Sequence, residues 1–215
     1  MARNAHPEVT RRRILDAAQS LFDERGYEHT SIQNIVDKLG NLSKGAIYHH
    51  FASKEAILKA LAERDGKAQS DAIRVIADRN DMDALHKMRA IMAFSFTESS
   101  HVQFISAVTA QFDDPMVFSA SMKFWREQLP NVWRNLIDEG VRDGSIPTQY
   151  PREAAQLLAL LPNYWLFTYF YPAMKAEYRH RVQCLATMLD AIDVPLFNDE
   201  LIDMAVDSAL GGGRA

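Results

Sequence analysis

The 215-residue chain has a single cysteine, Cys184, so no internal disulfide is possible and a reducing compartment is its natural setting. Cys184 lies on an apolar helical stripe and is expected as a small core residue. Long apolar runs are also missing. The most apolar stretch, Leu157 to Tyr171, is too short to span a bilayer and contains Pro162 and Asn163. The opening MARNAHPEVTRRR has no apolar segment that would act as a signal peptide. The expectation is a cytoplasmic protein with no membrane role. No glycine-rich phosphate loop and no Ser/His/Asp set is present. No group of cysteine, histidine and carboxylates has metal-ligand spacing. His49 and His50 are adjacent, so on a helix they point about 100 degrees apart and cannot chelate together, and His86 stands alone between Leu85 and Lys87. No catalytic residue, metal ligand or cofactor is therefore assigned, and an enzyme is not expected.

Overall basicity is lacking too, since the net charge is −4, but the charge is unevenly placed. Residues 1 to 60 carry a balance of +2 and the remainder −6. A basic head on an acidic body suits local phosphate contact. With 47% apolar and 24% charged residues, the composition is that of a globular protein large enough to bury a core.

The pattern is helical nearly throughout. Ile14, Leu15, Ala18, Leu21 and Phe22 repeat at helical spacing, and Gly26 stops that run. Thr30 and Ser31 precede Ile32, Ile35, Val36 and Leu39, and Gly40-Asn41 ends the second helix. Ser43 caps a short third helix reaching His50. Ser53 caps a longer fourth helix, with Glu55 in its positive first turn and an apolar face continuing to Ile73 and Ile76. Later breaks fall near Asn80-Asp81, Ser99-Ser100, Asp113-Asp114-Pro115, Gly140 to Pro151, Pro172 and Pro195, which leave about six further helices. No segment alternates as a strand does. The terminal GGGRA is expected to fray. The fold class is all-α with about nine to ten helices. The expected division is a three-helix head over 1–52 and a helical body over 53–215.

The run TSIQNIVDKLGNLSKGAIYHHFASKE, residues 30 to 55, carries the chemistry. Ile32, Ile35, Val36 and Leu39 hold the second helix to the first, and Ile47 and Phe51 do the same for the third. The opposite side of the third helix then carries Ser43, Lys44, Gly45, Ala46 and Tyr48 or His49. Small residues at 45 and 46 let a helix backbone approach base edges and thymine methyls. Lys44, Tyr48 and His49 can donate to phosphate oxygens. The amides opening the fourth helix, with Lys54, form a second phosphate anchor.

These residues, from Thr30-Ser31-Ile32 through Gly40, Ser43 to Phe51 and Ser53-Lys54-Glu55, resemble the DNA-binding domain of TetR-family transcriptional regulators. The similarity covers about residues 8 to 60. It implies a homodimer on a palindromic double-stranded operator, with each third helix in a major groove, and a small-molecule effector in the body that changes the spacing of the two heads. Carried over by position, Ser43, Lys44, Gly45 and Ala46 face bases, while Thr30, Ser31, Gln33, Tyr48, His49 and Lys54 hold the backbone. One departure stands out: Asn41 lies between Gly40 and Leu42, where the family's turn runs from glycine directly to an apolar residue. Arg11, Arg12 and Arg13, with Arg3, are candidates for flanking phosphates, and Arg12 or Arg13 is expected to contribute salt-dependent affinity.

The body is rich in large rings between positions 85 and 171, which cannot tile a small helical core without gaps, and Tyr and Trp need polar partners. Pro130 and Pro162 are expected to kink long helices. The reading is an apolar cavity for a hydrophobic or aromatic molecule, with Phe94, Phe104, Phe112, Trp125, Trp133, Tyr164 and Phe167 as candidate lining residues. Helix 151–171 is apolar almost all round, and Val182, Leu185, Ala186, Met188, Leu189 and Ile192 make a second stripe. Helices near 151–171 and 175–193 are the expected dimer contact. Two alternatives remain at this stage: a helical ligand carrier or enzyme without specific DNA binding, and a DNA-bound activator or architectural dimer whose body is solid core.

Overall fold

A computed structural model of the chain describes residues 7–210, apart from the side chains of Ser100 and Gln103. Arg3 and the terminal GGGRA lie outside the described residues. Within them the fold is all-α: α1 Pro7–Arg25, α2 Ile32–Leu39, α3 Lys44–His50, α4 Lys54–Ala77, α5 Ala84–Thr97, α6 Ser99–Thr109, α7 Pro115–Glu127, α8 Leu129–Asp143, α9 Pro151–Leu160, α10 Lys175–Asp190 and α11 Asp199–Leu210. A single π turn, Leu161–Trp165, follows α9. No strand occurs among the described residues.

The chain forms two compact units. The first comprises Met1–Gln69 with Gln103–Ala110, and the second Ser70–Val102 with Gln111–Ala215. The first unit therefore reaches beyond residue 52. Ile57, Ala60 and Leu61 of α4 are buried in the same cluster as Ile14, Leu21, Ile35 and Ile47, so that part of α4 belongs to the head's core. Gly26 (φ 83°) and Gly40 (φ 70°) end α1 and α2 in the left-handed region, where glycine meets no Cβ penalty.

The second unit packs Met88, Ile91, Trp133, Leu136, Ile137, Leu158, Val182, Leu185, Leu189 and Val206 into one core. The start of α5 is capped from the end of α8: Ala84 N–H donates to Asp143 at 2.9 Å and Leu85 N–H to Ser145 Oγ at 3.3 Å. Arg89 donates to the carbonyls of Pro195 (2.7 Å) and Leu196 (2.9 Å), which holds the segment between α10 and α11.

Four expectations need correction here. Pro130 does not kink a long helix. It sits in the first turn of α8, where its missing N–H costs nothing, and the separation of α7 from α8 at Gln128 adds a helix to the expected number. Helix 151–171 is not continuous. Pro162 has no N–H for the carbonyl of Leu158, so the chain widens into the π turn, closed by Leu166 N–H to Leu161 O at 3.0 Å, and regular helix ends. Cys184 is exposed, and so is Met188 at 45%. The buried stripe of α10 is the narrower set Tyr178, Val182, Leu185, Ala186 and Leu189.

One charged contact lies deep in this unit. Lys87 of α5 is 4% exposed, and its Nζ donates to Glu139 Oε1 of α8 at 2.7 Å. Glu139→Ala leaves that ammonium without its carboxylate and is expected to cost about 2 kcal/mol, less than a fully buried pair because the Glu139 side chain keeps some solvent. Lys87→Met, which removes the buried charge and keeps the volume, is expected to cost less than about 1 kcal/mol. Urea titration of the two variants checks the asymmetry; equal losses would show that the pair is not desolvated.

Candidate nucleic-acid interface

The head is organised to present α3. Ser31 caps α2 in a reciprocal box: its Oγ accepts from Asn34 N–H at 3.2 Å, and Asn34 Oδ1 accepts from Ser31 N–H at 2.9 Å. Ser43 caps α3 through Ala46 N–H at 3.2 Å, and Phe51 N–H closes its far end on Ile47 O at 2.9 Å. Ile47 is fully buried and Phe51 is 5% exposed, so that side of α3 is fixed into the core. Lys44, Gly45, Tyr48 and His49 are exposed, with Ala46 half-buried. Their spacing at i, i+1, i+4 and i+5 puts them on one side, away from Ile47 and Phe51. A Cβ on Gly45 would have only Ser43 Oγ near it, at 3.8 Å, so the fold itself does not require a glycine there.

Not every expected contact residue faces outward. Thr30 is 2% exposed and its hydroxyl is engaged with the carbonyls of Gly26 (2.9 Å) and Leu21 (3.3 Å), while its N–H bonds Tyr27 O at 3.1 Å. Both donors are committed to the α1–α2 connection, so Thr30 supports the fold and offers nothing to a phosphate. Ser31 is exposed, but its hydroxyl is shared with Asn34. Gln33 is exposed and donates to Asp37 at 2.9 Å within α2. Lys54 is half-buried, donates to Tyr27 O at 2.9 Å, and lies 3.9 Å from the centroid of the Tyr27 ring. The first turn of α4 also has acceptors of its own. Ser53 Oγ receives Ala56 N–H at 3.2 Å, and hydrogen bonds from the Ser53 hydroxyl and its own backbone hold the Glu55 carboxyl below its usual range. The second phosphate anchor is therefore partly filled from within the protein. Tyr27, buried next to Gly26, was not singled out from the sequence, since its role exists only through its contact with Lys54.

The arginines of α1 separate into three environments. The Arg11 guanidinium lies 5.0 Å from the centroid of the Phe51 ring. Partial burial, with His49 and Arg11 nearby, pushes the His50 imidazole below its usual range. Arg13 Nη2 donates to Asn41 Oδ1 at 2.8 Å. Arg12 is exposed and makes no hydrogen bond or ion pair with a described residue. Among the three it is the one whose whole guanidinium is available to a phosphate.

In the second unit, four of the seven candidate ligand residues join one aromatic cluster. Phe112 has ring centroids of Phe118, Trp125, Phe167, Tyr169 and Phe170 within 5.5–6.3 Å. Tyr164 meets Phe170 at 4.4 Å. The rings pack against one another at these distances. Trp133 belongs instead to the main core, with its Nε1–H buried and unmatched, and Gln111 Nε2 beside Phe112 in sequence is likewise buried and unmatched. Phe94 is in none of these ring contacts among the described residues, and Phe104 falls in the first unit. Two surface grooves among the described residues lie elsewhere, one of about 760 Å³ along α11 and the end of α5 and one of about 270 Å³ between α4 and α8, and neither touches a candidate ligand residue. No group of three potential metal ligands occurs among the described residues, and no helix there is long and apolar enough to cross a membrane.

Residues 14–61 match the family model of bacterial regulatory proteins of the TetR family. It is in this segment that the chain is similar to the TetR family. The matched part begins within α1 and ends within α4, and so includes the whole of α2 and α3. The A-factor receptor protein of Streptomyces griseus is 48% identical over 63 residues, covering 29% of this chain and 22% of that protein. The transcriptional repressor KstR2 of Rhodococcus jostii is 29% identical over 155 residues, covering 67% of this chain and 72% of that one. For several relatives the matched part is less than half of their length. GusR of Salmonella enterica has the same fold, with a TM-score of 0.63, 23% identity, and coverage of 88% of this chain and 98% of its own. TetR-family sequence similarity is thus concentrated in the head, while the body shares the helical fold.

Proposed function

We propose that this protein is a ligand-responsive DNA-binding transcriptional regulator of the TetR family, a repressor released from its operator by a hydrophobic or aromatic small molecule. The exposed side of α3 carries this reading. Lys44, Gly45, Tyr48 and His49 stand clear of a helix whose other side is fixed by Ile47 and Phe51. In this reading Ser43, Lys44, Gly45 and Ala46 meet bases, Tyr48 and His49 meet phosphates, and Arg12 adds a flanking phosphate contact. Lys54 has donors left beside its bond to Tyr27 and reaches the backbone with them. A C2 homodimer through α9, the π turn and α10 supplies the two copies of α3 that two half-sites about one helical turn apart, ~34 Å, require. Exposed Leu160, Cys184 and Met188 on those elements, with Met174 just before α10, support that contact. The aromatic cluster around Phe112, with the unmatched donor of neighbouring Gln111, supports an effector site in the body. A molecule entering there has to separate the rings, which is a means of transmitting its presence.

The test is selection of genomic fragments on the purified wild-type protein, followed by affinity measurements on what it retains. Tyr48→Phe is expected to weaken binding about tenfold, the value of one hydrogen bond to a charged group, with the melting midpoint unchanged because Tyr48 is 47% exposed. Lys54→Ala is expected to weaken binding and also to lower stability by about 1 kcal/mol, since it removes the contacts to Tyr27. If both variants hold the selected fragments as tightly as wild type, docking through α3 and α4 is wrong.

A further inference from the structure

We infer that Asn41 is a positioning residue that fixes the approach angle of α3 through Arg13, and that this tie sets sequence specificity without touching DNA. The inference rests on the DNA-binding reading above. Four residues, Gly40 to Ser43, join α2 to α3. A connection of that length has several conformations open to it. Two contacts restrict it. Leu42 is half-buried against the head's core, and the Asn41 side chain accepts from Arg13 Nη2 at 2.8 Å across 28 positions of sequence.

Arg13 is well placed to act as a fixed post. It precedes Ile14 and Leu15, which are 0% and 3% exposed, so its backbone is held by the core of α1. It has no carboxylate partner among the described residues, so the Asn41 carbonyl is the one acceptor its guanidinium has found. Asn41 lies two residues before Ser43, whose hydroxyl caps α3. A shift at Asn41 therefore passes into the first turn of α3, where Lys44 and Gly45 stand. In reading bases, a small rotation of that turn changes which edges are met, whereas phosphate attraction tolerates it.

The experiment compares affinity for fragments selected by the wild type with affinity for scrambled DNA, at three salt concentrations, for wild type, Asn41→Ala, Asn41→Asp, Arg13→Ala and the Asn41→Ala/Arg13→Ala double variant. Melting midpoints are measured alongside. Asn41→Ala is expected to lower the selected-to-scrambled ratio about fivefold, with the salt slope and melting midpoint unchanged. Asn41→Asp, whose carboxylate accepts from the same guanidinium, is expected to restore the ratio even though its charge weakens both affinities together. Arg13→Ala is expected to match Asn41→Ala, and the double variant to lose nothing more. Additive losses, an Arg13→Ala salt slope reduced by about one, an Asn41→Asp ratio as low as that of alanine, or an Asn41→Ala ratio equal to wild type would each overturn the inference. A wild type that retains no fragment at any salt concentration overturns the DNA-binding reading itself and this inference with it.

Discussion

Gly140→Ala is expected to destabilise the second unit by about 3 kcal/mol and to lower its melting midpoint by roughly 6–12 °C. In an exposed helix the same exchange stabilises, because alanine loses less backbone entropy than glycine, by about 1 kcal/mol. At position 140 packing reverses the sign. A Cβ there would lie 2.6 Å from Cδ1 and Cγ1 of Ile146 and 2.8 Å from its Cβ. Ile146 is fully buried and its N–H is bonded to Gly140 O at 3.0 Å, so neither its side chain nor its backbone has room to retreat. Relief requires moving the turn after α8, which carries the Asp143 and Ser145 caps of α5. Gly66 of α4 is the internal control. Nothing lies within 4 Å of its added Cβ, and Gly66→Ala is expected to raise stability by about 0.5–1 kcal/mol. Calorimetry of the two variants decides the matter: a Gly140→Ala protein that melts at or above wild type removes the packing account.

The all-α class and most helix boundaries were legible because the caps are local chemistry. Ser31, Ser43 and Ser53 each accept an amide at the start of the helix they were expected to open, and Gly26 and Gly40 each stand just past an end. The body was harder to read where the outcome depends on what a neighbour does. Pro130 signals a helix start as well as a kink, and only the break at Gln128 distinguishes the two. A run of apolar residues from 157 to 171 gives no sign that Pro162 will convert the helix to a π turn and leave Leu166 to Tyr171 as connecting chain. Cys184 shows the same ambiguity. One position on a stripe separates the buried side of α10 from the exposed one.

Within the candidate interface, position was legible and commitment was not. The sequence placed Lys44, Gly45, Tyr48 and His49 on the free side of α3, and they are exposed. Thr30, through the resemblance, and Lys54, at the start of α4, were expected to hold the DNA backbone. The Thr30 hydroxyl is engaged by two carbonyls, and Lys54 by Tyr27, because a donor is recruited by whichever acceptor the fold brings near. Those acceptors come from residues 21, 26 and 27, which are distant from Lys54 in sequence and unremarkable as letters. Asn41 reverses the pattern. It was visible as an irregularity of the turn, and its partner Arg13 became visible only in three dimensions.

Gly45→Leu is expected to reduce affinity for selected fragments by roughly 100-fold or more, bringing it toward the non-specific level, while the protein melts no lower than wild type. Two observations fix the direction of each half. A Cβ at 45 meets nothing closer than Ser43 Oγ at 3.8 Å, and the position is exposed, so a larger side chain extends into solvent in the free protein. Replacing glycine in a helix also favours the folded state slightly, by at most about 1 kcal/mol. In the proposed complex the floor of the groove takes the place of that solvent. Four carbons between the α3 backbone and the base edges would lift the helix away, and hydrogen bonds to bases are lost with small displacements, whereas phosphate attraction declines slowly. The salt slope is therefore expected to persist as the sequence preference disappears. Gly45→Ala, adding one carbon, should fall between wild type and leucine. If Gly45→Leu keeps both its affinity and its sequence preference, α3 does not enter the groove by the side that carries Lys44, Gly45, Tyr48 and His49.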